Sequence, residues 1–238
     1  MMLLIDAGNT RIKWAQLDNG KWINTGVFAQ EQYTGDPWES VELKKIRQIW
    51  VSNVAGEKVK NRVLQLGVED TRFISARETQ CGVTNGYSNA AQLGSDRWAA
   101  LIAAWNMTGK KCLVVNCGTA TTIDALSEQG KFLGGIILPG VELMQQSLAG
   151  ATAKLQMGGG NYEKFPLNTS DALYSGALQA TCGAIERQKA LLGAGEIPVI
   201  LSGGAAQMIK PCLNMPANNV ENLVLQGLYI IAKEANTE

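Results

Sequence analysis

The chain has 238 residues, long for one simple core and right for two modest domains. Apolar residues make up 46%, and 21 basic side chains balance 21 acidic ones, so this is a globular chain with no charge-driven case for nucleic acid or an anionic membrane as partner. It contains no histidine, which excludes Ser-His-Asp and Cys-His nucleophilic catalysis, His-ligated zinc and phosphohistidine transfer, and its five cysteines form no CxxC pair, most of them reading as core residues of a reducing cytosol.

Residues 2–5 form an apolar run that ends on Asp6. The turn Ala7-Gly8-Asn9-Thr10 follows, and residues 11–17 alternate again, with Ile12, Trp14 and Leu17 apolar. This is a hairpin pattern. Its turn has phosphate-type chemistry: Gly8 permits close backbone approach, Asn9 and Thr10 carry side-chain donors, and successive amides can form an anion nest. Lys13 lies within reach of a phosphate over the turn, and Asp6 is placed to hold a hydrated magnesium ion. An ordinary hairpin would show the same local pattern.

Residues 21–28 predict a third strand, 30–39 a polar connection, 46–53 a buried strand, 57–66 an amphipathic helix ended by Gly67, and 68–74 a further strand. Three strands followed by strand, helix and strand describe a ribonuclease-H-like α/β half. Residues 75–92 are rich in Gly, Asn, Thr and Ser and lack periodicity, as functional loops often do. They lead into Gly94-Ser95-Asp96-Arg97 and an apolar helix beginning at Trp98. On local grounds Asp96 suits either the favourable end of a helix dipole or a general base. Arg97 suits either a surface position over Trp98 or Trp105, or bidentate anion recognition.

Residues 113–125, LVVNCGTATTIDA, repeat the layout of residues 3–15. Gly118 matches Gly8, Asn116 matches Asp6, and Thr119 matches Asn9. Strands are expected over 112–116, 121–127 and 131–138, and a helix over 141–148. A glycine-containing irregular stretch covers 151–167. A long helix capped by Thr169 or Ser170 reaches about 192, a buried strand spans 197–201 and ends at Ser202-Gly203-Gly204, and a last helix spans 222–235. Two duplicated halves, 1–108 and 109–238, with the Gly8 and Gly118 turns facing each other across a nucleotide cleft, are the expected organisation. No leader or apolar spanning segment is predicted, so the expectation is a cytoplasmic protein.

Two strand–turn–strand phosphate loops in one chain resemble the acetate and sugar kinase, chaperone ATPase and actin superfamily. Within it the chain resembles the type III pantothenate kinases, through DAGNT at 6–10, GYSNAAQLGSDRW at 86–98, GTATTID at 118–124, GGIILPG at 134–140, NTSDALYSG at 168–176 and LSGGAA at 201–206. The resemblance implies a duplicated ribonuclease-H-like, actin-like ATPase fold and ATP-dependent phosphorylation of pantothenate to 4′-phosphopantothenate, the first step of coenzyme A biosynthesis. It implies ATP binding by Asp6, Ala7, Gly8, Asn9, Thr10, Arg11, Ile12, Lys13 and Thr119, and an adenosine side near Gly203 and Gly204. It places Tyr87, Gly94, Ser95, Asp96, Arg97 and Thr169 on pantothenate, with Asp96 as catalytic base and Thr169 contributed across a homodimer interface. It also implies Mg2+ at Asp6 and a monovalent cation, K+ or NH4+, near position 116. Many members carry a carboxylate there; Asn116 is a weaker cation ligand, which puts that requirement in question. A sugar or small carboxylate as acceptor, or a non-catalytic ATP-binding accessory factor for transcription, are the alternatives; Tyr87 and the Asp96-Arg97 pair argue against the first, and Asp96 as a base together with the zero net charge argues against the second.

Overall fold

In the computed structural model, residues 1–30, 38–151 and 159–237 are described. Most of the expected connection at 30–39, and Gly158 of the glycine-containing stretch, lie outside them. The chain divides into two compact units. The first comprises Met1–Gly109, Gly130–Phe132 and Asn222–Glu238, the second Lys110–Gln129 and Leu133–Glu221. The halves are therefore not contiguous in sequence: the last helix and a short segment near residue 131 pack with the first unit.

The first unit is built on β1 (Met2–Ala7), β2 (Arg11–Asp18), β3 (Lys21–Ala29), β4 (Gln48–Asn53) and β5 (Asp70–Phe73), in the order β3-β2-β1-β4-β5. β1 pairs antiparallel with β2 and parallel with β4. Both faces of β1 are covered, so it reads as an unbroken apolar run. Leu3, Ile5 and Ala7 enter one core with Ile12, Ile49 and Val51, closed by Val59 and Val63 of α1 (Glu57–Leu64). On the other side lie α2 (Ser95–Thr108) and α6 (Leu223–Ala235), the latter packed on β1, β4 and α2. Gly227 makes that packing possible, because a Cβ there would collide with the Ala99 carbonyl. Each Leu or Ile buried here contributes about 1.5–3 kcal/mol.

Residues 75–92 are less irregular than their composition predicts. They hold β6 (Thr79–Gln80) and β7 (Val83–Thr84), paired antiparallel, too short to show a period. Thr84 bridges to Lys131, which ties the 130–132 segment to this unit.

The second unit repeats the plan with β8 (Cys112–Cys117), β9 (Ala120–Leu126), β10 (Phe132–Pro139, whose first residue belongs to the first unit), β11 (Val199–Ser202) and β12 (Asn218–Asn219), in the order β10-β9-β8-β11-β12. Its core joins Leu113, Val115, Ile123 and Leu201 to Leu178, Cys182 and Ile185 of α4 (Thr169–Leu191). The remaining helices are α3 (Val141–Ala151), packed on α4, and α5 (Ala206–Ile209). The cap of α4 is neither Thr169 nor Ser170: Asn168 holds extended backbone and accepts a 2.9 Å hydrogen bond from the Asp171 amide.

Candidate active site

Asp6 closes β1, and the chain reverses at once. The Gly8 amide donates to the Arg11 carbonyl at 3.1 Å, and a Cβ on Gly8 would sit 3.2 Å from that oxygen, so the turn is tight. Asn9, Thr10 and Arg11 are exposed around it. Ala7 and Ile12 point into the core, which leaves their backbone as the part a ligand could meet. Lys13 is the cross-strand partner of Asp6. Burial, then the neighbouring Asp96 carboxylate, push the Asp6 carboxyl up to about 7, with Lys13 acting in the opposite direction. Asp6, Lys13 and Asp96 thus form one electrostatic cluster.

Asp96 reaches that cluster from the first turn of α2. Its Oδ1 accepts from the Arg97 amide at 2.8 Å. Gly94 precedes it because a Cβ there would lie 2.6 Å from the same oxygen. Ser95 is buried, its hydroxyl 2.9 Å from that of Ser52 on β4.

Arg97 is not on the surface. It is 5% exposed and donates to the Tyr87 hydroxyl at 3.2 Å. Its guanidinium carbon lies 5.9 Å from the Tyr87 ring centre and 5.7 Å from that of Phe132, and the two rings are 5.4 Å apart. Sequence reasoning missed Phe132, which is buried at the start of β10, and Ser52, which sits inside an apolar strand. Tyr87, Gly94, Ser95, Asp96 and Arg97 therefore assemble on the same unit as Asp6 and Lys13.

The second turn is one residue shorter than the first. Gly118 donates to the Ala120 carbonyl at 3.1 Å, and Thr119 is exposed at the tip. The position equivalent to Lys13 is Thr122, the partner of Asn116 across β8 and β9. The hydroxyls of Thr121 and Thr122 are buried without a hydrogen-bond partner among the described residues. Burial pushes the Cys117 thiol up to about 12, so it is no nucleophile at neutral pH. Gly203, at φ +99°, packs its α-carbon on the Cys117 carbonyl and brings residues 203–205 beside this turn. Thr169 is exposed in the same unit and lines a mostly apolar groove of about 490 Å³ between α3 and α4, with Met144, Leu148 and Leu173. Among the described residues, no group of three or more His, Cys, Asp or Glu side chains gathers to hold a metal, and no helix is long and apolar enough to cross a membrane.

Two units of this topology, each with a turn between its first two strands, define the actin-like ATPase and sugar kinase fold. Solved structures agree. A Campylobacter jejuni protein described as a Baf family transcriptional activator matches with TM-score 0.67 at 24% identity, over 99% of this chain and 100% of its own. A Sinorhizobium meliloti protein described as a 2-dehydro-3-deoxygalactonokinase matches with TM-score 0.62 at 14% identity, over 99% of each chain. Both likenesses speak for the fold alone.

The family follows from sequence. The profile of the type III pantothenate kinases matches residues 2–190. A type III pantothenate kinase of Nitrosospira multiformis is 48% identical over 99% of this chain and 92% of its own length. This chain belongs to the type III pantothenate kinase family.

Proposed function

We propose that this protein transfers the γ-phosphoryl group of ATP to the hydroxyl of pantothenate, giving 4′-phosphopantothenate and ADP, and that Asp96 is the catalytic base. The observation that carries the proposal is the placement of Asp96 at the head of α2, within electrostatic reach of Asp6 and next in sequence to the buried Arg97. Asp96 takes the hydroxyl proton, the oxygen attacks the γ-phosphorus, and the bond to the leaving ADP oxygen breaks. Arg97, held by Tyr87, recognises the substrate carboxylate, and Gly94 and Ser95 line that contact.

The turn amides at Gly8 and Asn9 and the side chains of Asn9, Thr10 and Lys13 bind the nucleotide phosphates. The residues fit a magnesium ion. Asp6 and Asp96 repel one another, and the ion needs only one or two carboxylates besides phosphates and water. Asp6 would hold it, and it would neutralise charge on the phosphates. Asn116 and its cross-strand partner Thr122 carry neutral side-chain oxygens in place of a carboxylate, so a potassium or ammonium ion would be bound weakly there.

A cytoplasmic homodimer completes the reading. The α3–α4 groove and the exposed Leu143 and Leu148 form an apolar surface that a second copy would cover, with Thr169 at its edge. The direct test is to incubate the purified protein with magnesium ATP and pantothenate, follow ADP and identify the product by mass. ADP release independent of pantothenate, or supported by a sugar instead, would overturn the proposal.

A further inference from the structure

We infer that Ser52 is a positioning residue for phosphoryl transfer. It holds the head of α2, and so Asp96, at a set distance from Asp6. The inference rests on the reading of Asp96 as the base.

Ser52 is the parallel register partner of Asp6, one strand away on β4. Leu3, Ile5 and Ala7 of β1 and Ile49 and Val51 of β4 enter one core, so by strand alternation Asp6 and Ser52 share the opposite face, the face that carries α2. There the Ser52 hydroxyl meets that of Ser95 at 2.9 Å, with Ser52 fully buried and Ser95 only 8% exposed. Ser95 is the first residue of α2, and Asp96 is the next. The helix has no side-chain cap of its own: Gly94 occupies the cap position, and the Asp96 carboxylate bonds the Arg97 amide instead. The Ser52–Ser95 bond is thus a side-chain tie from the start of this helix to the strand beside Asp6.

The chemistry gives such a tie a use. Asp6 of β1 and Asp96 of α2 serve the same phosphoryl transfer from two separate elements, so the head of the helix must keep one place beside the strand. A base displaced by about 1 Å from its proton can lose up to about a hundredfold in rate. A buried hydroxyl pair costs nothing in charge and fixes the separation. Substituting either serine by Ala leaves the other hydroxyl buried without this partner.

The test is a double-mutant cycle between Ser52→Ala and Asp96→Asn, with kcat, KM for ATP and a thermal melt for each protein. Ser52→Ala alone is expected to lower kcat about tenfold and leave KM for ATP within about twofold. In the Asp96→Asn background the same change is expected to cost no more than about twofold in kcat, because the base it positions is gone. A loss of stability alone would act equally in both backgrounds. Equal losses of kcat in the two backgrounds, or an unchanged kcat in Ser52→Ala, would overturn the inference and leave Asp96 in place. Near-normal turnover by Asp96→Asn alone would instead overturn the reading of Asp96. If Ser52→Ala does not fold, Ser52→Cys, which keeps the volume of the buried side chain and replaces the hydroxyl with a weak thiol donor, enters the same cycle, with the same outcomes deciding it.

Discussion

The Arg97 guanidinium donates to the Tyr87 hydroxyl at 3.2 Å while lying 5.9 Å from the centre of the same ring. One aromatic residue therefore holds the cation by its face and by its polar tip, and Phe132 adds a second ring at 5.7 Å. A buried cation so held keeps its fork in one orientation, which suits bidentate capture of a carboxylate.

Arg97→Lys should raise KM for pantothenate about tenfold or more and change kcat far less, since a point charge cannot reproduce the fork. Tyr87→Phe should have a smaller effect, up to about fivefold in KM, the worth of one hydrogen bond. Steady-state titration of pantothenate at saturating ATP checks both. An unchanged KM in Arg97→Lys would remove the residue from substrate recognition.

Asp6 predicts a pH dependence. Its carboxyl is raised to about 7 in the folded protein against an ordinary 3.8, so the folded state binds a proton that the unfolded chain releases. Its contribution is favourable below pH about 4 and is lost as pH rises through about 7. Asp6→Asn should flatten that part of the profile and melt higher than the parent at neutral pH without nucleotide, while binding magnesium ATP poorly. Melts of the two proteins from pH 4 to 8, read as a difference, test the sign. A difference that shrinks as pH rises would contradict it.

Gly140 sits where a side chain would overlap the Gly118 carbonyl and approach that of Thr119 to 2.7 Å, and its amide donates to Thr119 at 2.8 Å. Gly140→Ala should push the second turn outward, with a loss of about 1–3 kcal/mol in stability and a several-fold rise in KM for ATP. Unchanged values of both would separate this turn from nucleotide binding.

Asn116 offers no charge to a monovalent cation. Rates in potassium and sodium salts at equal ionic strength should agree within about threefold. Strong, saturable activation by potassium would show that other oxygens replace the carboxylate.

Much of this was legible in the chain itself. The run closed by Asp6, the Gly8 turn and the apolar helix after Asp96 announce themselves by pattern, and the repeat at 113–125 announces the second unit. Phe132 does not, because its apolar neighbours Leu133, Ile136 and Ile137 carry the same local signal and are exposed. Residues 130–132 join the first unit through a bridge from Lys131 to Thr84, far apart in sequence. The placement of α6 was hidden for a related reason: its partner is chosen by the close approach of Gly227 to Ala99, which periodicity does not encode. Asn168, Thr169, Ser170 and Asp171 are all able to cap a helix, and only backbone geometry selects Asn168. Ser52 reads as one polar residue ending a buried strand until its register with Asp6 is known.

The measurement that tests the account most directly is pantothenate-dependent ADP formation by Asp96→Asn beside the parent protein, with a melt of each preparation. Asn keeps the size of the side chain and tolerates the same place at the helix start, so stability should move by less than about 1 kcal/mol. Turnover should fall about a hundredfold or more, the usual worth of a positioned base, with KM for ATP nearly unchanged. A variant that melts normally and turns over at a near-parental rate would contradict the account at its centre.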